Sequence, residues 1–269
     1  MQIVGYEPPA VGDTGTATLA VASEGTVRRE PLVPGESIDY RLGERHCAGV
    51  LEDGRHERCT AGTAPRCDRH TSRWACARCT GDCDRPLPAC DEEHAVYLAA
   101  FAPAQFKVGV TRSWRLETRL REQGADRAAH VRTVPDGRTA REIEAAIAAG
   151  TEGGTPGGAA NGGVDVVDRV RVAAKARHLH RSVDETAWTT LLAAFDPIER
   201  YDFDYGFSLG ERPMAETLAS GTIRGAQGRV LLLDREGSTY AVDGRDLVGH
   251  EIAEGGADRD LQSSFSAFE

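Results

Sequence analysis

The stretch "HAVYLAAFAPAQFKVGVTR", residues 94–112, decides the fold. Two apolar runs, near 94–102 and 106–111, are rich in β-branched and aromatic residues and are separated by a short turn, which is the pattern of a sheet hairpin. A helix is expected next, near 114–123, then a third strand in "RAAHVRTVP" and a second helix in "TAREIEAAIAA". Thr139 reads as the N-cap of that second helix, ahead of Glu142. Strand, strand, helix, strand, helix is an α+β order. Within it, Lys107 is one of only two lysines, with Lys175, in a chain of 30 arginines.

Working outward from this core, residues 1–45 read as an N-terminal β segment and 46–93 as a Cys-rich module with little periodicity. After the core (94–150) come a Gly-rich linker over 151–164, a helical segment over 165–200 and a C-terminal β segment over 201–253, and residues 254–269 form a flexible tail. Two helices are expected in the helical segment, "DVVDRVRVAAKARHLH" (165–180) and "VDETAWTTLLAAF" (183–195). Because both terminal segments are strand-rich and neither has much core alone, they are expected to share one small β-barrel.

No apolar run of the 269-residue chain approaches the roughly 20 residues of a membrane span. The first residues show no basic region followed by an apolar core, so a cytoplasmic protein without a membrane partner is expected. The net charge of −10 comes with few lysines and many acids, a composition similar to that of proteins that work at high salt. Against that background the segment 94–150 carries eight arginines and one lysine against six acids, a local +3. Arg115 and Arg119 fall on one helix face, with Arg112 just ahead. They suit either phosphate contact or simple pairing with Glu117 and Glu122.

All seven cysteines fall between residues 47 and 90. An odd, clustered set in an intracellular chain favours metal over disulfides. Cys47, Cys59, Cys67, Cys76, Cys79, Cys83 and Cys90 supply seven ligands, and two closed tetrahedral sites need eight. His70, three residues after Cys67, and His94 are the candidates for the eighth. One or two structural zinc ions are therefore expected. The alternative is a redox pair at Cys76 and Cys79.

The hairpin and its helices resemble the GIY-YIG nuclease superfamily, with "VYL" in the place of its first motif and "KVGVT" in the place of its second. More specifically, "HAVYLA…FKVGVTR…TRLREQGA" is similar to the domain-of-unknown-function 2797 family, in which a cysteine-rich segment precedes the motif and a Gly-rich β segment closes the chain. The GIY-YIG resemblance implies a small antiparallel sheet with helices and assigns catalytic roles. Tyr97 matches the first tyrosine, Lys107 and Gly109 match the first position and the glycine of the second motif, and Arg119 matches the arginine on the scissile phosphate. Glu144 matches the glutamate that binds one divalent cation, Mg²⁺ or Mn²⁺. The second tyrosine of the nucleases is replaced by Lys107, whose tunable amine suits phosphate contact or proton transfer, and the downstream asparagine has no counterpart. The expected function is a zinc-containing nucleic-acid-binding protein (Arg112, Arg115 and Gly109 on the contact face) with metal-dependent phosphodiester cleavage. The alternatives are a non-catalytic binding or adaptor module on the same core, and a thiol redox or metal-handling protein.

Overall fold

The computed structural model describes residues 1–12, 15–71, 90–150 and 164–255. The chain opens with β1 (Gln2–Glu7), β2 (Ala17–Ser23), β3 (Thr26–Leu32), β4 (Ser37–Arg45), β5 (Val50–Glu52) and β6 (Arg55–Glu57). The central core contributes β7 (His94–Phe101), β8 (Gln105–Arg112), a 3-10 turn (Ser113–Arg115), α1 (Leu116–Gln123), β9 (Arg127–Val134) and α2 (Gly137–Ala148). Then follow β10 (Val166–Val167), α3 (Val172–Ala176), α4 (Glu185–Leu192) and β11 (Glu199–Asp202). The chain closes with β12 (Met214–Ala215), β13 (Ala219–Gln227), β14 (Val230–Arg235), β15 (Ser238–Asp243), α5 (Gly244–Leu247) and β16 (His250–Glu254). No described helix is long and apolar enough to cross a membrane.

Among the described residues two sheets result, an eleven-stranded one ordered β12-β15-β14-β13-β4-β16-β1-β2-β3-β6-β5 and a five-stranded one ordered β10-β8-β7-β9-β11. The terminal segments do share one sheet, because β4 lies between β13 and β16, and β16 in turn pairs with β1. They also share one core, with Ile3, Leu19 and Leu32 packed among Ile223, Leu231 and Val242. The expected barrel, however, is an open sheet whose end strands, β12 and β5, do not pair with each other. Long strands of mixed origin satisfy the core without closure.

In the small sheet β7 is buried on both faces, so its sequence runs continuously apolar instead of alternating. One face (Val96, Leu98, Ala100) packs with Phe106 and Val108 against Ala140 and Ile147 of α2 and Leu191 of α4. Trp188 of α4 stacks on Phe106 at 5.9 Å between ring centroids. The other face (Ala95, Tyr97, Ala99, Phe101) packs against Leu116 and Leu120 of α1. Those two leucines lie four residues apart, one turn of a helix stripe.

Two local expectations differ from the structure. The N-cap of α2 is Asp136, not Thr139. Its Oδ1 accepts the Thr139 N–H at 2.8 Å and its Oδ2 the Thr139 hydroxyl at 2.9 Å, so the helix starts a turn earlier. The single helix expected over 165–180 divides. Val166 pairs with Phe106 as a parallel edge strand, buried at 6 % exposure, and only Val172–Ala176 is helical. β-Branched valines gain more by extending the sheet than by coiling. The linker residues 151–163 and the tail residues 256–269 lie outside the described residues.

The two sheets meet at the end of α1, whose C-cap Gly124 adopts a left-handed conformation at φ 66°. Gln227 of β13 donates its amide to Gly124 O at 3.0 Å and to Asp126 Oδ1 at 2.8 Å. A Cβ on Gly124 would stand 2.8 Å from Gln227 O, so the residue is fixed both by its backbone and by the neighbouring strand.

Candidate functional site

Two constellations stand out, one of soft metal donors and one of hydrogen-bond donors. The first lies in the loops that leave the large sheet. Cys47 follows β4, Cys59 follows β6, and Cys67 and His70 share the next turn. Their four ligand atoms all lie within 4.8 Å of one another. Cys59 Sγ is 4.0 Å from Cys67 Sγ, and His70 Nδ1 is 3.3 Å from Cys47 Sγ and 3.5 Å from Cys67 Sγ. Tetrahedral bonds of about 2.3 Å to sulfur and about 2.0 Å to nitrogen require S–S separations of about 3.8 Å and S–N separations of about 3.5 Å. The cluster fits. A disulfide does not, since its sulfurs would stand about 2.05 Å apart.

The local backbone prepares the thiols. The N–H groups of Gly49 and Cys67 donate to Cys47 Sγ at 3.4 and 3.2 Å. At Cys67 burial pushes the thiol pKa up, but the N–H groups of Arg69 and His70 and the neighbouring thiols outweigh it and leave the pKa lowered. At Cys59 the Ala61 N–H pulls down, and burial with the two other thiols carries the pKa above its ordinary value. Three ligands of this kind beside one imidazole fill a coordination sphere, which suits a structural ion and leaves no open position for catalysis.

His46, which precedes the first ligand, anchors this loop to the large sheet. Its buried ring places Nδ1 2.8 Å from Cys59 O and 3.2 Å from the Gln2 side-chain amide, and Nε2 3.3 Å from Glu251 on β16. Sequence reading missed this role, and its only signal was adjacency to Cys47.

The second constellation covers the α1 face of the small sheet. Tyr97 is 1 % exposed and its Oη accepts the Gln123 amide at 2.5 Å. Lys107, two residues before Gly109 on β8, places Nζ 5.4 Å from the Tyr97 ring centroid and donates to Val108 O at 3.1 Å. Gly109 is what lets them meet. A Cβ there would lie 2.5 Å from Tyr97 Cζ and 2.7 Å from Lys107 Nζ. Arg119 of α1 pairs with Glu122 at 3.1 Å and is 46 % exposed. Burial works against its charge, yet Tyr97 and Glu122 beside it raise its pKa.

The family model described as "Protein of unknown function (DUF2797)" matches residues 35–252. The chain belongs to that family. The match takes in the Cys3His residues, both faces of the small sheet and most of the large one, including the described β strands that close the chain. Comparison with curated proteins and with solved structures found no match.

In this DUF2797 protein Tyr97, Lys107, Gly109 and Arg119 are brought together, and Glu144 is not. α2 returns over the opposite face of the sheet, where Glu144 is 9 % exposed and accepts from Arg141 at 2.6 Å. Arg112 pairs with Glu92 at 3.2 Å, and Arg115 shares Glu122 with Arg119 at 2.9 Å. Glu117 is held instead by Arg121 at 3.1 Å. Of the expected metal ligands, Cys90 and His94 stand outside the Cys3His group. The ring of His94 lies against Gly137 at the start of α2, with Nδ1 2.7 Å from Glu92 O. Cys76, Cys79 and Cys83 lie outside the described residues.

Lys175 of α3, unassigned from sequence, lies on the same side of the sheet as Tyr97. Its Nζ donates to Gln123 O at 2.5 Å and sits 4.9 Å from the Phe101 ring centroid. Its rarity was the available signal. A cavity of about 700 Å³ on the large sheet, lined by Tyr40, Leu42 and Leu218 among others, contains none of these residues.

Proposed function

We propose that this DUF2797 protein is a zinc-stapled nucleic-acid-binding protein whose contact face is the α1 side of the small sheet. The grouping of Lys107 and Arg119 around Tyr97 carries this reading, within a segment of +3 in a chain of −10. A concentration of Lys and Arg on one face of an otherwise acidic protein is the electrostatic footprint of a phosphate backbone. Zinc is the ion that the Cys3His donors suit, by number, softness and spacing.

The arrangement favours binding without cleavage over metal-dependent phosphodiester hydrolysis. Hydrolysis with Mg²⁺ or Mn²⁺ needs a carboxylate on the side where the phosphate lies. Glu144, the residue matched to that task, is across the sheet and committed to Arg141. On the Tyr97 side Glu122 is committed to Arg115 and Arg119.

Anisotropy titrations with single- and double-stranded DNA and RNA at several ionic strengths test the proposal. Binding should weaken as salt rises. Arg119→Ala should weaken it by about tenfold, the loss of one charge-assisted contact. Arg29→Ala, on β3 of the large sheet and paired with Glu7, should leave it unchanged. Equal losses at both positions, or no binding at any ionic strength, overturn the reading. Cleavage of any of these nucleic acids with Mg²⁺ or Mn²⁺ overturns the preference for binding alone.

A further inference from the structure

Both lysines of a chain with 30 arginines reach one place, Lys107 from β8 and Lys175 from α3. Tyr97 and Gln123 link them, since the Gln123 carbonyl accepts from Lys175 and its side-chain amide donates to Tyr97 Oη. Among the described residues neither lysine has a carboxylate within the 4.0 Å of an ion pair. The hydrogen-bond partner of each is a single backbone carbonyl, Val108 O or Gln123 O. An ammonium has three N–H donors, so most of them are not used by the protein.

The neighbouring charges are already matched. Arg229 is paired with Asp243 at 2.9 Å, Arg121 with Glu117, and Arg115 and Arg119 share Glu122. Asp126, the nearby buried acid, is held by the Ala102 N–H at 2.9 Å and by the Gln227 amide. Asp126, held only by neutral donors, offsets part of the charge of the two lysines, and the remainder is surplus positive charge in a half-buried position. The strain is visible at Lys175, where burial, with Arg229 and Lys107 adding to it and Asp243 and Asp126 opposing, pulls the ammonium down to about 8. Like charges gathered out of water are unfavourable unless an opposite charge offsets them.

The hydrogen-bonding groups left unused on the two lysines are all donors. Tyr97 Oη accepts from Gln123, which leaves its O–H to donate, and the ammonium groups have no acceptor atoms. Such a set fits a ligand that presents acceptors alone and a high charge density, as phosphate does. Compact, rotatable ammonium groups suit that ligand, and the bare Gly109 lets the Lys107 ammonium close on Tyr97 where a bulkier planar guanidinium would be harder to seat.

We infer that Lys107 and Lys175, linked through Tyr97 and Gln123, form a seat for a doubly charged phosphate group, at the edge of the nucleic-acid face. The inference rests on the nucleic-acid reading for the source of that phosphate. A terminal phosphate monoester carries close to two negative charges at neutral pH and matches two lysines, whereas an internal phosphodiester carries one. The protein is thus a reader of phosphorylated strand ends.

The test compares four probes on the full chain, namely one oligonucleotide with a 5′-phosphate, with a 3′-phosphate, or with hydroxyl ends, and inorganic phosphate. One phosphorylated form should bind about tenfold tighter than the hydroxyl form, and Lys175→Met should erase that preference without changing affinity for the hydroxyl form. Lys107→Met should lower the preference together with affinity for the hydroxyl form, because Lys107 also belongs to the nucleic-acid face, and Lys175→Gln replaces Lys175→Met if that variant fails to fold by circular dichroism. Phosphorylated and hydroxyl forms bound alike would overturn the seat and leave the nucleic-acid reading standing. Inorganic phosphate bound in a Lys175-dependent way, with no oligonucleotide bound, would support the seat and overturn the nucleic-acid reading. No binding of any probe overturns both.

Discussion

The Cys3His cluster and the lysine site are opposites in charge and in construction. The first draws Cys47, Cys59, Cys67 and His70 from neighbouring loops of one segment and collects groups that favour a cation. The second draws Tyr97, Lys107, Arg119 and Lys175 from strands and helices far apart in the chain and collects groups that favour an anion. A short segment cannot build a large apolar core, so its loops need cross-linking by strong bonds at one point. A site built on both sides of packed elements takes its rigidity from the core beneath, here Leu116, Leu120 and Phe101, and needs no staple. On the proposed reading the first site serves stability and the second recognition.

The sharpest way to break this contrast is to remove one member from each. Cys67→Ser should release the zinc of the Cys3His group and lower the melting temperature by roughly 10 °C or more, the thermal equivalent of a few kcal/mol in a chain of this size. Elemental analysis and calorimetry read both effects. Unchanged zinc content and melting would remove the structural role assigned to the cluster.

Next in size is Gly109→Ala. The added methyl group meets Tyr97 Cζ and Lys107 Nζ well inside contact distance, which should cost about 1–3 kcal/mol in denaturant unfolding and reduce nucleic-acid binding strongly. Glu144→Gln, on the other face of the same sheet, should leave binding as it was. If Glu144→Gln reduced binding as much as Gly109→Ala did, the two faces would not be separate in function.

A smaller effect isolates Lys175. Its ammonium is held at about 8 in the folded protein, against an ordinary 10.5. Between those values the unfolded chain retains a proton that the folded protein has lost, so this group makes stability rise with pH from about 8 towards 10.5. In phosphate-free buffer, unfolding free energies of the parent at pH 7.5 and 9.5 should show that rise, and Lys175→Met should flatten it. Identical slopes would mean that the burial of Lys175 is not felt as charge strain.

The smallest expected change is at the α2 cap, remote from both sites. Asp136→Ala should cost about 1 kcal/mol by removing the acceptor for the Thr139 N–H. Hydrogen bonds from Thr139 hold the Asp136 carboxyl below its ordinary pKa, so the stabilisation is present above the carboxylate range and is lost as pH falls through it. A loss at neutral pH that persisted unchanged in acid would mean a role other than capping.

Much of the small sheet was legible because its elements are long and consistently patterned. β7 and β8 fall within a residue or two of the apolar runs, and α1 follows with its leucine stripe. The Cys3His ligands were legible as residue types, since thiols confined to one segment make a ready donor set for a soft metal ion. The choice of His70 over His94 was not, because it depends on which loop folds back on Cys47. The barrel expectation failed at closure. Strand-rich ends announce that they pair, but only the register of β4 between β13 and β16 determines an open sheet.

The sequence by itself determined an α+β chain with a hairpin core, a cysteine segment suited to metal and an unusual economy of lysine, because each of these is written in local spacing or composition. Only the tertiary structure decided that Glu144 faces away from Tyr97 and that Lys175 comes to stand beside Lys107. Side-chain alternation tells which residues of a strand share a face, but not which face the next helix will cover. That choice is made when α1 packs on Tyr97 and Phe101 and α2 on Val96 and Leu98, burying each side of the sheet with a different helix.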